Sequence, residues 1–95
     1  MTTSTKTREW IVEAEIMPKR GVNDPQGDAV LSGLKLLGFT EAGRVRVGKL
    51  IRLDVTAPDE LTASARAREM CEKLLANPVI EEFELTVRAA GDERE

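Results

Sequence analysis

Apolar and polar residues alternate near both ends of the chain, and this alternation predicts two half-buried strands. In "REWIVEAEIMPK" every second residue is apolar, and Pro18 ends the pattern because proline cannot donate a hydrogen bond within a sheet. In "VIEEFELTV" glutamates alternate with apolar residues, so we expect an acidic face that meets solvent or a basic partner. The apolar faces contain Trp10, Val12, Ala14 and Ile16 in the first strand and Phe83, Leu85 and Val87 in the last.

Two segments between these strands have the periodicity of amphipathic helices. "DPQGDAVLSGLKLLGF" has Asp24 as its N-cap, Pro25 at the first helical position and Gly38 just after its end. "PDELTASARAREMCEKLLANP" begins at a cap formed by Asp59 or Thr56 and ends at the dipeptide "NP". The apolar stripes contain Val30, Leu31, Leu34 and Leu37 in the first helix and Ala63, Ala67, Met70 and Leu74 in the second.

The stretch "RVRVGKLIRLDV", residues 44–55, fits more than one structure. A two-residue hairpin at Gly48 and Lys49 would mix valines with charged residues on one face. One long strand bent at Gly48 places Val45, Val47, Ile51, Leu53 and Val55 on one face, and we favour it, although a three-residue loop over Gly48, Lys49 and Leu50 would also keep the faces consistent. A strand of this length exceeds the usual length of about 5 to 6 residues, so part of it should pair with another chain.

Length and hydropathy indicate one small domain of the cytoplasm. With 95 residues, we expect a single domain over residues 9–87, between disordered polar tails at 1–8 and 88–95. No apolar run approaches the roughly 18 residues of a membrane span, and the first ten residues lack a signal peptide's apolar run. Cys71 is the only cysteine, so it cannot form an intramolecular disulfide, and we expect it to be a small buried apolar residue.

The composition argues against several kinds of chemistry. The chain has no His, so it cannot contain a Ser-His-Asp or Cys-His site or a zinc site with a His ligand. A Glu or Lys base would need a strongly perturbed pKa. The net charge of −3 and the aromatic content of 3% argue against nucleic-acid binding. "VGK" does not match a phosphate loop, which needs a Gly-rich run between a strand and a helix.

Two groups of basic residues could bind an anion. The row Arg44, Arg46, Lys49 and Arg52 could hold an anionic ligand or an acidic partner, or it could be the solvated face of a strand. The loop "KRGVNDPQG" places two cations before a helix N-terminus, although a loop with a helix cap is the favoured interpretation. Neither group amounts to an active site.

Three segments, "MPKRGVNDPQGDAV", "RVRVGKLIRLDV" and "MCEKLLANPVIEEFEL", in this order and spacing, closely resemble the PurS family. PurS is the small subunit of phosphoribosylformylglycinamidine (FGAM) synthase, and the resemblance covers residues 9–87. It implies an α+β fold of order β-α-β-α-β, a ferredoxin-like-related sandwich with two helices on one face of an antiparallel sheet. A partner chain would complete that sheet, in a homodimer or homotetramer.

The resemblance also implies a non-catalytic assembly role in de novo purine biosynthesis. Such a subunit bridges a glutamine amidotransferase and a synthetase that convert formylglycinamide ribotide, glutamine and ATP to formylglycinamidine ribotide, and it aids ammonia transfer. It implies no catalytic, cofactor or metal residue in this chain, with ATP and Mg²⁺ used by the synthetase partner.

The resemblance marks nine positions with structural or interface roles. They are Asn23, Asp24, Pro25 and Gly27 in the first segment, Arg46, Gly48 and Lys49 in the second, and Asn77 and Pro78 in the third. Two alternatives remain open, namely a dimeric ferredoxin-like domain that senses a small molecule and a self-sufficient enzyme with a Glu or Lys base.

Overall fold

The structure, a computed structural model, describes residues 7–92 and contains three strands and two helices. Asp24 accepts a hydrogen bond from the Gly27 amide and caps the first helix, and Asp59, rather than Thr56, caps the second. Gly38 has φ 98° just past the first helix, a conformation that favours glycine. The elements are β1 (Arg8–Pro18), α1 (Pro25–Leu36), β2 (Lys49–Ala57), α2 (Glu60–Met70), a π-helical turn (Cys71–Leu75), β3 (Glu81–Ala89) and a 3-10 turn (Ala90–Asp92).

The three strands form an antiparallel sheet of order β2-β1-β3. Val12 lies opposite Leu53 on β2 and Val87 on β3, and Ile16 lies opposite Phe83. Residues directly opposite each other share a face, so the predicted apolar positions all lie on the same side of the sheet. Both outer strands have a free edge within the described residues, which leaves the sheet open to a partner chain.

The core lies between this apolar face and α2. Ala63 and Ala67 of α2 are buried, and their small side chains let the helix pack closely against the strands. Trp10 is 7% exposed, and its Nε1 donates a hydrogen bond to the Ala57 carbonyl at 3.1 Å. Cys71 is 1% exposed and packs against Ala14 and Ile16, which confirms its predicted burial.

The other helix, α1, does not cover the sheet of its own protomer. Gly27 is its one buried residue, and none of its side chains belongs to the core. Leu36 is 88% exposed and Leu37 is 75% exposed. Of the two helices expected on one face, α2 alone packs there, since no side chain of α1 belongs to the clusters that cover the strands. The radius of gyration is 18.0 Å, whereas a compact chain of this length would have about 12 Å.

The segment that allowed several interpretations forms neither a hairpin nor one continuous strand. Residues 42–48 lie outside regular secondary structure, and hydrogen-bonded pairing begins at Lys49. Lys49 lies opposite Ile16, and β1 ends soon afterwards at Pro18, so residues before Lys49 find little of β1 to pair with. The favoured long strand was therefore too long, although the predicted faces are correct for Ile51, Leu53 and Val55 on the core side and for Arg52 and Asp54 on the other.

The folded part extends slightly beyond the predicted limits of residues 9 and 87. β1 begins at Arg8, and β3 continues to Ala89 because that residue lies opposite Trp10. The remaining parts of the predicted tails, residues 1–6 and 93–95, lie outside the described residues. Between residues 7 and 92, no helix combines the length and the apolar character that crossing a membrane requires.

Ile16→Ala tests the core. Ile16 is 1% exposed, so the truncation should lower the free energy of unfolding by roughly 2–5 kcal/mol. Leu74→Ala is the control, because Leu74 is 81% exposed and its loss should change stability by less than about 0.5 kcal/mol. Urea unfolding, followed by fluorescence of the single tryptophan at one fixed protein concentration, measures both. Equal effects of the two substitutions would contradict the core described above.

Candidate functional site

The carboxylate of Asp24 joins the first two marked segments. Its Oδ1 accepts a hydrogen bond from the Gly27 amide, and its Oδ2 accepts one from the Val47 amide, each at 2.9 Å. The first bond caps α1, and the second holds the chain just before β2 against the start of the helix. One side chain therefore fixes both the beginning of α1 and the approach to β2. Pro25, at the first helical position, favours the same helix start because its fixed φ suits it.

These hydrogen bonds also determine the charge of Asp24. The Gly27 and Val47 amides stabilise the carboxylate and hold the pKa of Asp24 below its ordinary value, and the nearby charge of Arg46 acts in the same direction. The side chain therefore stays ionised, and it accepts hydrogen bonds, throughout the physiological pH range.

The two marked glycines permit close backbone contacts. A Cβ at Gly27 would collide with the carbonyl oxygen of Val45, and one at Gly48 would collide with the carbonyl oxygen of Ile16. The Gly48 position would also bring a Cβ against Sδ of Met17. Both glycines are therefore required by space, since any side chain would force the segment 44–48 away from α1 and β1.

A group of cations surrounds this junction. Arg46 donates a hydrogen bond from Nη2 to the Pro18 carbonyl oxygen, which ties the segment before β2 to the end of β1. Lys19, Arg20, Arg44 and Arg46 line a cavity of about 400 Å³, and we call these four residues the basic basin. Asn23, Asp24 and Asp28 also line it. In the part of the chain that the structure describes, the side chains of Lys19, Arg20 and Arg44 form no ion pair.

The predicted row of four basic residues does not form one anion site. Arg52 pairs with Glu13 at 2.7 Å on the sheet face opposite α2, and Arg46 is held by Pro18. The hydrogen bond from Arg52 lowers the pKa of Glu13. Lys49 begins β2 and is exposed. The sheet pairs some of these cations internally, which the linear pattern could not reveal.

The third segment shapes the connection from α2 to β3. The Asn77 side-chain oxygen accepts a hydrogen bond from the Val79 amide at 3.1 Å, and its backbone carbonyl accepts from the Glu81 amide at 2.7 Å. Pro78 lies inside this turn. The Ile80 carbonyl then accepts from the Lys19 amide at 2.8 Å, which brings the third segment to the loop that begins the basic basin.

The chemistry available at this junction is binding and positioning. Burial raises the pKa of the Cys71 thiol, so that side chain is a poor nucleophile. Within residues 7–92, no three His, Cys, Asp or Glu side chains are arranged to hold a metal ion. The marked residues instead hold backbone segments together and present charges at the surface, so the fold and the site define a small α+β binding or assembly domain.

Comparison with known proteins identifies the family. The family model PurS, described as phosphoribosylformylglycinamidine (FGAM) synthase, matches residues 11–89, and the chain belongs to this family. The FGAM synthase subunit PurS of Archaeoglobus fulgidus is 44% identical over 78 residues, which cover 82% of this chain and 98% of that relative.

Solved structures agree with this assignment. PurS of Methanocaldococcus jannaschii, described as a subunit of formylglycinamide ribonucleotide amidotransferase in the purine biosynthetic pathway, has a TM-score of 0.76 and 34% identity. The alignment covers 84% of this chain and 96% of that one. A chain in the structure of PurLQS from Thermotoga maritima has a TM-score of 0.78 and 29% identity. That alignment covers 84% of this chain and 98% of the Thermotoga chain. The fold predicted from sequence is therefore confirmed as that of PurS.

Sequence reasoning missed two features of this region. It identified Asp24 as a helix cap but not its bond to Val47, which lies 23 positions along the chain. It also missed the Pro18 carbonyl as a partner of Arg46. No local pattern signals either contact, since both depend on how the loop after β1 folds back over the segment before β2.

Gly27→Ala tests the close contact between α1 and the segment before β2. The added methyl group must displace the Val45 carbonyl, so we expect a loss of roughly 1–3 kcal/mol in the free energy of unfolding. Gly33→Ala is the matched control in the same helix, because a Cβ there meets nothing within 4 Å and should stabilise by up to about 1 kcal/mol. Urea unfolding of both variants measures the difference, and an equal response would contradict the contact.

Asp24→Asn tests the carboxylate by its pH dependence. A lowered pKa means that Asp24 contributes stability above its unfolded pKa of about 3.9, and that this contribution is lost as pH falls through the lower folded pKa. The variant should therefore be less stable than the wild type at pH 6, and the difference should narrow below about pH 4. Urea unfolding between about pH 3 and 6 measures it. A difference independent of pH would show that the charge of Asp24 contributes nothing.

Proposed function

We propose that this protein is the non-catalytic assembly subunit of an FGAM synthase. It bridges a glutaminase subunit and a synthetase subunit in purine biosynthesis and aids the transfer of ammonia between them. The observation that carries the proposal is the PurS family match over residues 11–89, which takes in most of β1, both helices and all of β2 and β3. The PurLQS structure, which contains a chain of the same fold, supports an assembly role.

Self-association belongs to the same proposal. The free edge of β2 offers backbone hydrogen-bonding groups to a second copy, which would complete the sheet, and residues 42–48 before it belong to no strand. The exposed leucines of α1 supply apolar area that a dimer or tetramer would bury. An isolated helix of 12 residues is marginal in water, so cover by another chain also stabilises α1.

The proposal assigns the reaction chemistry to the partners. The synthetase subunit uses ATP and Mg²⁺, the glutaminase subunit releases ammonia from glutamine, and this chain holds the two in register in the cytoplasm. No specific observation favours the alternative of a domain that senses a small molecule.

Reconstitution tests the proposed function. Purified synthetase and glutaminase subunits are assayed for glutamine-dependent synthase activity with and without this protein. Because the subunit acts by bringing the two sites together, we expect its addition to raise that activity by about tenfold or more.

The control arm uses ammonium salts in place of glutamine. Free ammonia reaches the synthetase without a bridge, so the protein should change this activity much less. An identical rate of glutamine-dependent synthesis with and without the protein would rule out the bridging role.

A further inference from the structure

The sheet face opposite α2 carries an acidic cluster formed by Glu15, Glu82 and Glu84. Glu15 lies directly opposite Glu84 in the pairing of β1 with β3, and like charges at opposed positions destabilise a sheet. Glu82 lies two residues before Glu84 on β3, so its side chain is on the same face. All three side chains are exposed, and within residues 7–92 none of them forms an ion pair. The cluster is therefore left with repulsion that cations from outside the protomer could relieve.

The basic basin lies beside this cluster. Arg46 lines the basin and also lines a second cavity of about 400 Å³ together with Glu15, Glu82 and Glu84. Arg46 itself is committed to the Pro18 carbonyl, whereas Lys19, Arg20 and Arg44 have unpaired charges among the described residues. Two surfaces of opposite charge thus adjoin at Arg46 in one protomer.

Adjacent surfaces of opposite charge suit a two-fold interface. In a two-fold dimer the same patch of both copies forms the contact, so each surface of one copy meets the other surface of its partner. An axis that passes between the basin and the cluster would form the charge contact twice. We propose that the basic basin of one copy binds the acidic cluster, Glu15, Glu82 and Glu84, of a second copy of this chain.

A second copy fits the basin better than a small anion. The unpaired cations of the basin, Lys19, Arg20 and Arg44, are exposed to solvent. An exposed ion pair contributes little alone, so the basin needs several pairs on one rigid partner. The acidic cluster supplies three carboxylates on the paired strands β1 and β3, beside the free edge of β3 where the sheet can be extended. The inference rests on the self-association included in the proposed function.

Charge exchange tests the pairing. One variant carries Arg20→Glu with Arg44→Glu, and a second carries Glu82→Lys with Glu84→Lys. In each variant alone, both contacts of the dimer become repulsive, so sedimentation equilibrium at about 50 mM NaCl should show a dissociation constant raised roughly tenfold or more. Mixing the two variants makes both contacts attractive again, and heterodimers should form with about the wild-type affinity. The chain with all four substitutions should likewise recover self-association.

Arg66→Glu with Lys73→Glu is the control, since it changes the net charge by the same amount on the helix side of the sheet. It should leave the dissociation constant within about twofold of the wild type. A mixture that associates no better than the separate variants would overturn the pairing, as would a control that weakens the dimer equally. A wild-type chain that remains a monomer would overturn it too, whereas the reconstitution assay judges the bridging role independently of either result.

Discussion

The arrangement of α1 and β2 depends on the hydrogen bonds that the carboxylate of Asp24 accepts. It accepts hydrogen bonds from the amides of Gly27 and Val47, so it starts α1 and also anchors the chain that leads into β2. Without a fixed end, α1 has little to hold it, because it makes few contacts with the sheet. Gly27 and Gly48 serve the same arrangement. Because they have no side chain, the segment before β2 can lie close to the start of α1 and to the end of β1.

A three-stranded sheet with one covering helix leaves much of its surface to other chains. The face toward α2 is apolar and closed, whereas the opposite face is charged, and both outer strands have free edges. A small domain buries a limited fraction of its surface by itself, so association stabilises it as well as serving its function. The exposed leucines of α1 and the segment before β2, which belongs to no strand, are understandable as parts of an assembly. A protein whose role is to join two enzymes needs such surfaces more than it needs a catalytic cleft.

Local patterns were sufficient for much of this structure. Alternation identified β1 and β3, and the capping residue Asp24 marked the start of α1, because these signals act within a few residues of the chain. For α2 the pattern left Asp59 and Thr56 as alternative caps, and the structure selects Asp59. The same logic assigned the faces of Ile51 and Arg52 correctly. It failed on the length of β2, because strand length depends on where the partner strand ends, and Pro18 ends β1 near the position of Lys49. Local patterns also could not identify the partners of Arg46 and Arg52, which lie far away in the chain.

The sequence by itself therefore determined the element types, the apolar face of the sheet, the cap of α1 and, through three resembling segments, the family. These properties follow from side-chain periodicity and local hydrogen bonding, which a linear pattern records. Only the tertiary structure decided that Asp24 reaches Val47, that α1 leaves its own sheet uncovered, and that a basic basin adjoins an acidic cluster. Each of these depends on contacts between residues far apart in the chain, and their geometry exists only after the loops have closed.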